Sequence, residues 1–178
     1  MKSYPFFCKV VIGFFVLILV ACGGVRKSAI ELVPGHYTYQ HGWTYDEGGN
    51  HIVVHETGTM DYYKDGTALD SARQVYRVTH ADGTQTCLVF NYISPSVWKV
   101  EGDDFFFGGI EEAFRMAVVE DESFMDAHAQ QLAQHIIQGV RKSIGHETKF
   151  HLAEITRHKL TWSYTYPDRH TDTWEFFR

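Results

Sequence analysis

The feature that most constrains this chain is a two-residue alternation of apolar and polar side chains, interrupted at short intervals by turn signals. In His36–Tyr45, Tyr37 and Tyr39 fall on one face and His36, Thr38 and Gln40 on the other. Asp46-Glu47-Gly48-Gly49-Asn50 marks a turn. His51–Tyr63 then reads as one long strand, with Ile52, Val54, Met60 and Tyr62 on a shared face and Gly58 as a bulge. Lys64-Asp65-Gly66-Thr67 and Ala81-Asp82-Gly83-Thr84 carry the Asp-Gly pair of tight hairpins. Arg73–His80 alternates, and Gln85–Ile93 is apolar on both faces, as a central strand would be. Ser94-Pro95-Ser96 is expected to end that strand. A short hairpin of Val97–Val100 and Asp104–Phe107 follows.

The period changes after a stretch, 110–122, that fits either a strand or a helical turn. From Ser123, the residues Met125, Ala129, Leu132, Ile136 and Val140 recur at spacings of three and four, which is one face of an amphipathic helix. Ser123 and Asp126 suit a capping box, and Gly145 a helix end. Three strands close the chain, carrying Phe150 and Leu152, then Leu160, Trp162, Tyr164 and Tyr166, then Trp174 and Phe176, with a last turn at Pro167-Asp168-Arg169-His170. Hairpin-length connections imply a mainly β, antiparallel meander. Such a sheet escapes edge pairing by curling into a barrel. We expect a barrel of about 8–10 strands with one amphipathic helix inserted before the last three. That helix would cover an open end or pack on the outer wall.

Several segments carry a resemblance. They are Gly35-His36-Tyr37-Thr38-Tyr39, Gly58 to Thr67 (GTMDYYKDGT), Leu160-Thr161-Trp162-Ser163-Tyr164 and the closing Trp174-Glu175-Phe176-Phe177-Arg178. Together they resemble the small lipocalin-like (calycin-type) bacterial lipoproteins common in Bacteroidetes, over most of Pro34–Arg178. The resemblance implies a ligand-holding barrel. The helix before the last three strands departs from simple lipocalin-like barrels, which carry a helix elsewhere or lack one.

The N-terminus fits a lipoprotein. Lys2 and Lys9 precede an apolar run from Val10 to Ala21 broken only by Gly13, the layout of a secretory signal. As a helix the run would cover roughly 18 Å, short of the ~30 Å hydrocarbon core, so a single-span anchor is the weaker reading. Leu19-Val20-Ala21-Cys22 resembles the bacterial lipobox, in which the cysteine is acylated and becomes the first residue. The alternative is an ordinary signal peptide with an incidental cysteine. The expected organisation is a signal peptide at 1–21, a tether at 22–33 and a lipocalin-like barrel at 34–178, with the membrane reached through lipid on Cys22. By resemblance to known lipoproteins, the absence of acidic residues in Gly23–Ser28 favours the outer membrane, facing the periplasm.

Charge excludes one class of partner. The chain carries a formal −6, and loss of Lys2 and Lys9 takes it to about −8, with no basic stripe for nucleic acid. A negative domain could instead meet a basic protein partner, so an envelope interaction module or inhibitor remains the second reading. Of three cysteines, Cys8 leaves with the signal and Cys22 takes lipid, which leaves Cys87 without a disulfide partner. Its apolar neighbours Leu88, Val89 and Phe90 predict a buried, inert thiol over a reactive one.

Residue patterns offer little chemistry. His51 and His55 lie about 13 Å apart on a strand, too far for one zinc. His128 and His135 are about 10 Å apart along the helix, and only a cross-strand pair such as His36 with His51 remains open. The acidic pairs Asp103-Asp104 and Glu111-Glu112 read as solvated turns. No nucleophile elbow or phosphate-cradling loop is present. We therefore expect no catalytic residues, no metal and no cofactor, and hence no enzyme. The aromatic residues remain: Trp43, Tyr62, Tyr76, Trp98, Trp162, Tyr164 and Trp174 either fill the barrel or line a pocket for a small apolar or amphipathic ligand.

Overall fold

The computed structural model describes residues 30–119 and 125–178. The expected signal peptide, Cys22, most of the tether and Ser123 lie outside the described residues. Nine strands and one long helix follow in order: β1 (Gly35–Glu47), β2 (Asn50–Tyr62), β3 (Thr67–Thr79), β4 (Gln85–Glu101), β5 (Asp104–Gly109), β6 (Arg115–Val118), α1 (Ala127–Ile144), β7 (Thr148–Ile155), β8 (Lys159–Thr165) and β9 (Thr171–Phe177). All described pairings are antiparallel, and eight of the strands close in the order β1-β2-β3-β4-β5-β7-β8-β9. The result is a mainly β, eight-stranded meander barrel of the architecture seen in lipocalin-like folds, with its helix before the last three strands.

Inward positions follow the alternation. Ile52, Val54, Met60 and Tyr62 of β2 are buried, as are Tyr76 and Val78 of β3 and Leu88 and Phe90 of β4. The β1–β2 turn works because Gly48 and Gly49 take φ of 58° and 82°, the left-handed pair a two-residue hairpin requires. The barrel closes at its narrowest seam, where β1 and β9 pair only at Thr38↔Phe177 and Tyr39↔Phe176. Arg178 reinforces that closure. Its guanidinium donates to the carbonyls of Leu32 and Pro34 and to the Tyr37 hydroxyl, and lies over the Tyr37 ring at 4.8 Å.

Three details differ from the sequence reading. Gly58 is not a bulge, since the β1–β2 register runs unbroken through Tyr39↔Gly58. It is glycine because a Cβ there would meet the Tyr39 ring and the Ser71 carbonyl at 2.8 Å and the Ala72 Cβ at 2.7 Å. Ser94-Pro95-Ser96 does not end β4. The strand's free side passes there from β6, which pairs at Phe90–Ile93, to β5, which pairs from Ser96, so no ladder partner asks Pro95 for a donor on that side. Cys87 is exposed, because it takes an outward position between the inward Leu88 and the β3–β4 turn. Within 110–122, which fits either a strand or a helical turn, the described residues form both, a short 3-10 turn at Glu111–Ala113 followed by β6.

Asp126 caps α1, its side chain accepting from the Ala129 N–H at 2.8 Å, and Arg141 and Lys142 in the last turn suit the helix dipole. The apolar face of α1 packs on Ile52, Val54, Tyr76, Val78, Leu88 and Phe90, burying Ala133 and Ile136. It therefore covers the inward residues near the tips of the β1–β2 and β3–β4 hairpins.

Replacing Gly58 with alanine is expected to lower stability by about 1–3 kcal/mol, the usual cost of overpacking, because the Tyr39 ring has no room to retreat. Denaturant unfolding monitored by tyrosine and tryptophan fluorescence reads that loss. A neutral result would mean Tyr39 repacks freely.

Candidate functional site

The barrel interior divides into two layers with different chemistry. Away from the helix lies an aromatic layer. Trp162 is its hub, with ring centroids of Phe150 at 4.2 Å, Trp174 at 4.9 Å, Phe176 at 5.1 Å and Phe105 at 6.0 Å. Tyr62 meets Trp98 and Phe105 edge-on, each at 5.8 Å. This layer gathers Tyr62, Trp98, Trp162 and Trp174 from the sequence-nominated set, packed against one another. Trp43 and Tyr76 lie elsewhere, bordering a depression of about 280 Å³ under His135, Ile136 and Gly139 of α1. Tyr164 stands at the end of β8 against Phe150 and Tyr166.

Between the aromatic layer and α1 lies a polar layer that the residue patterns did not reveal. Glu56 of β2 and Asp70 of β3 both point inward and are 9% exposed. The Tyr39 hydroxyl is 2.6 Å from Glu56 Oε1 and 2.7 Å from Asp70 Oδ1. The Tyr92 hydroxyl is 2.8 Å from Glu56 Oε1 and 2.8 Å from Asp70 Oδ2. Gln74 donates its amide to Glu56 Oε2 at 2.7 Å and accepts from the Tyr76 hydroxyl at 3.1 Å. Burial, and next the neighbouring Glu56 charge, push the Asp70 carboxyl up to about 7. Burial also raises both phenols, Tyr39 and Tyr92, above their ordinary range, with the two carboxylates adding to the effect. Both phenols therefore keep their protons and serve as donors.

This polar layer floors a cleft of about 210 Å³. Asp70, Gln74, Tyr92 and Ser94 form its base, Phe107, Phe114 and Phe150 its walls, and Val140, Ser143, Ile144 and His146 its rim at the end of α1. The combination of apolar walls and a few convergent polar groups is that of a small-molecule site, although the volume lies below the ~300–1,000 Å³ of drug-sized ligands. A larger depression, about 840 Å³, runs along the outer wall beside the β1–β9 seam. Its lining is mostly outward-facing threonine and glutamine (Thr38, Gln40, Thr57, Thr59), an open hydrated groove rather than an enclosure. The cleft carries the chemistry.

The buried Tyr62 hydroxyl and the buried Trp162 indole N–H, which have no other polar partner among the described residues, face each other within the aromatic layer. Among the described residues, no group of three or more His, Cys, Asp or Glu side chains is placed to hold a metal ion. Several histidines pair with acids or amides: His36 with Asp61 at 2.7 Å, His51 with Asp46 at 2.8 Å and His80 with Asn50 at 3.0 Å. The signal that would have exposed the site is the lone acid on an otherwise apolar face, Glu56 between Val54 and Met60, and Asp70 between Ala68 and Ala72. Compared with known proteins, the chain matches no family model and no curated protein.

Proposed function

We propose that this chain is an envelope lipoprotein, related to the lipocalin-like lipoproteins it resembles, anchored through lipid on Cys22 and holding a small amphipathic ligand in its barrel without chemical turnover. The ligand's apolar part would lie against Phe107, Phe114 and Phe150, and its polar end against Asp70, Gln74 and Tyr92. The observation that carries this reading is the cleft itself, a partly enclosed space lined both by aromatic rings and by buried polar side chains. The anchor rests on the order of apolar run, small residues and cysteine before Gly23, and an outer-membrane, periplasm-facing site on the lack of acids just after it.

Thermal unfolding with a panel of compact amphiphiles of up to about a dozen heavy atoms tests the ligand. A binder present at 100 times its Kd should add about 2.7 kcal/mol and shift Tm by several degrees. No shift across alcohols, acids and amines of that size would end this reading. Intact-mass analysis tests the anchor, which requires loss of residues 1–21 and acyl mass on Cys22. A second reading, a protein-interaction module, is favoured by one observation. Ile93, Val97 and Ile110 are 49%, 46% and 39% exposed and cluster around Pro95 on the outer face of β4.

A further inference from the structure

Charge is spread unevenly over the outer wall of the barrel. The outward positions of β3 from Thr67 to Thr79 and of β4 from Gln85 to Val97 hold no acidic residue, in a chain that carries 22 of them. Arg73 and Arg77 of β3 stand there exposed, without an acidic partner among the described residues. Arg115 of β6 joins them opposite Ile93, and its guanidinium bonds only to the carbonyl oxygens of Glu112 and Phe114, at 2.7 and 2.8 Å. Acids lie at the margins of this wall. Asp61 is paired with His36 at 2.7 Å, Asp82 accepts from Thr84 in the β3–β4 turn, and Glu111 and Glu112 follow Ile110.

The same wall carries most of the exposed apolar surface. Tyr63, Ile93, Val97, Ile110 and Val119 are five of the seven large apolar side chains exposed among the described residues. The ladders set them outward: Ile110 follows the Ser96↔Gly109 pair and donates its N–H to the Pro95 carbonyl, and Val119 donates to Val89 in the same way. Half-buried Leu69 and Val75, opposite Pro95 and Val89, fill the surface between them. The β3–β4 register runs unbroken through thirteen pairs. The strip is therefore continuous, about 33 Å long from Cys87 to Val97.

Apolar side chains interleaved with unanswered arginines match an anionic lipid surface. There the apolar groups enter the headgroup boundary while each guanidinium keeps its charge beside phosphate. The point at which the chain enters the domain favours that occupant. Gly35 pairs with Tyr62, Tyr62 with Ala68 and Thr67 with Val97, so β1 begins at the same end of the barrel as Tyr63 and Val97, two strands from the strip. Ile30 lies eight residues after Cys22, a length of chain that reaches at most about 29 Å. A lipid on Cys22 thus keeps the near end of the strip beside the bilayer. We propose that the β3–β4 wall docks flat on an anionic membrane leaflet, with Arg73, Arg77 and Arg115 against phosphates and Ile93, Val97 and Ile110 in the headgroup boundary. This rests on the Cys22 anchor and goes beyond it, since an anchor alone leaves the domain free to face any direction.

Cys87 lies within the strip, exposed and paired in register with Arg77, and reports docking directly. The mature full chain is reconstituted through its own lipid into vesicles of phosphatidylcholine, or of equimolar phosphatidylcholine and phosphatidylglycerol. After recovery by flotation it is labelled with N-ethylmaleimide, and Cys87 is read on its own peptide by mass spectrometry. Each arginine contributes about fivefold at an anionic surface, so labelling should be at least about tenfold slower on the anionic vesicles. Salt at about 1 M, where screening acts within about 3 Å, should restore the rate. Arg73→Glu combined with Arg77→Glu should label equally fast on both vesicles, and the wild-type comparison decides the matter even where that variant folds poorly. A thiol on the far wall, Thr173→Cys in a chain with Cys87→Ser, should label at one rate on both vesicles. Equal Cys87 labelling on the two, equal slowing of the far thiol, or shielding that requires an added protein would overturn the docking and leave the anchor intact. A chain that floats with neither vesicle would overturn both.

Discussion

Truncating Trp162 to alanine is expected to remove about 3–5 kcal/mol of stability, as large aromatic truncations in well-packed cores do. Trp162 is 6% exposed and its ring touches contributions from β5, β7 and β9 at once: Phe105 and Phe107, Phe150, and Trp174 with Phe176. Each of these neighbours also packs against a ring other than Trp162, which limits how far it can swing into the space. Phe105 is wedged between Trp98 and Trp162, and Trp174 is flanked by Phe150. The cavity should persist, and the wall that Phe107 and Phe150 present to the cleft should loosen with it. Urea unfolding of the variant should give a midpoint lowered by about a fifth at the least, and by more than half for a domain at the low end of the ordinary 5–15 kcal/mol range. A loss under about 1 kcal/mol would mean the layer collapses onto the gap, and that these rings are packed far less tightly than their spacings indicate.

The strands were legible because alternation and turn chemistry act locally. The Asp-Gly turns at Asp65-Gly66 and Asp82-Gly83 fall where the side-chain acids accept from Thr67 and Thr84, and the inward residues of β2 follow directly from the period. The helix followed equally from its spacing. What failed were inferences from one residue's usual behaviour. Pro95 ends strands only where its missing donor is needed. Cys87 joins the core only when it faces inward, and its parity along β4 places it outside.

The polar layer was hidden for a different reason. Glu56 and Asp70 lie fourteen positions apart in sequence, each looking like a single polar lapse in an apolar face. Register sets them on the same face on either side of the Gly58↔Ala72 pair, through Glu56↔Gln74 and Met60↔Asp70 across β2–β3. Reach completes the site. Tyr39 gets to both acids only by crossing over Gly58, where no side chain stands in its way. The glycine that reads locally as a bulge is thus the gap through which the phenol reaches across two strands. No pattern confined to one strand carries that information.

Asp70→Asn should remove the pH dependence that the Asp70 carboxyl imposes on the fold. The Asp70 carboxyl is held at about 7 in the folded chain against an ordinary value of 3.8, by burial first and by Glu56 second. Between those two values the folded state keeps a proton that the unfolded chain has released. The unfolded state then binds fewer protons, so stability falls as pH rises from about 4 to about 7, then levels off. At 1.36 kcal/mol per pK unit, and allowing for coupling to Glu56, the loss across that window is about 2–4 kcal/mol. Asparagine keeps the bonds without the titration: its carbonyl accepts from Tyr39, and its amide donates to the Tyr92 oxygen while that hydroxyl donates to Glu56. The variant should therefore match the parent near pH 4.5 and exceed it by about 2–4 kcal/mol at pH 8. Asp65, Asp82 and Asp168, held low by hydrogen bonds in their turns, contribute an opposite slope below about pH 4 to both proteins and cancel in the difference. Urea midpoints measured at pH 4.5, 6 and 8 give that difference directly. Parallel curves for the two proteins would mean that Asp70 is already ionised at pH 5, and that the four short contacts at the cleft floor are not held by a carboxyl proton.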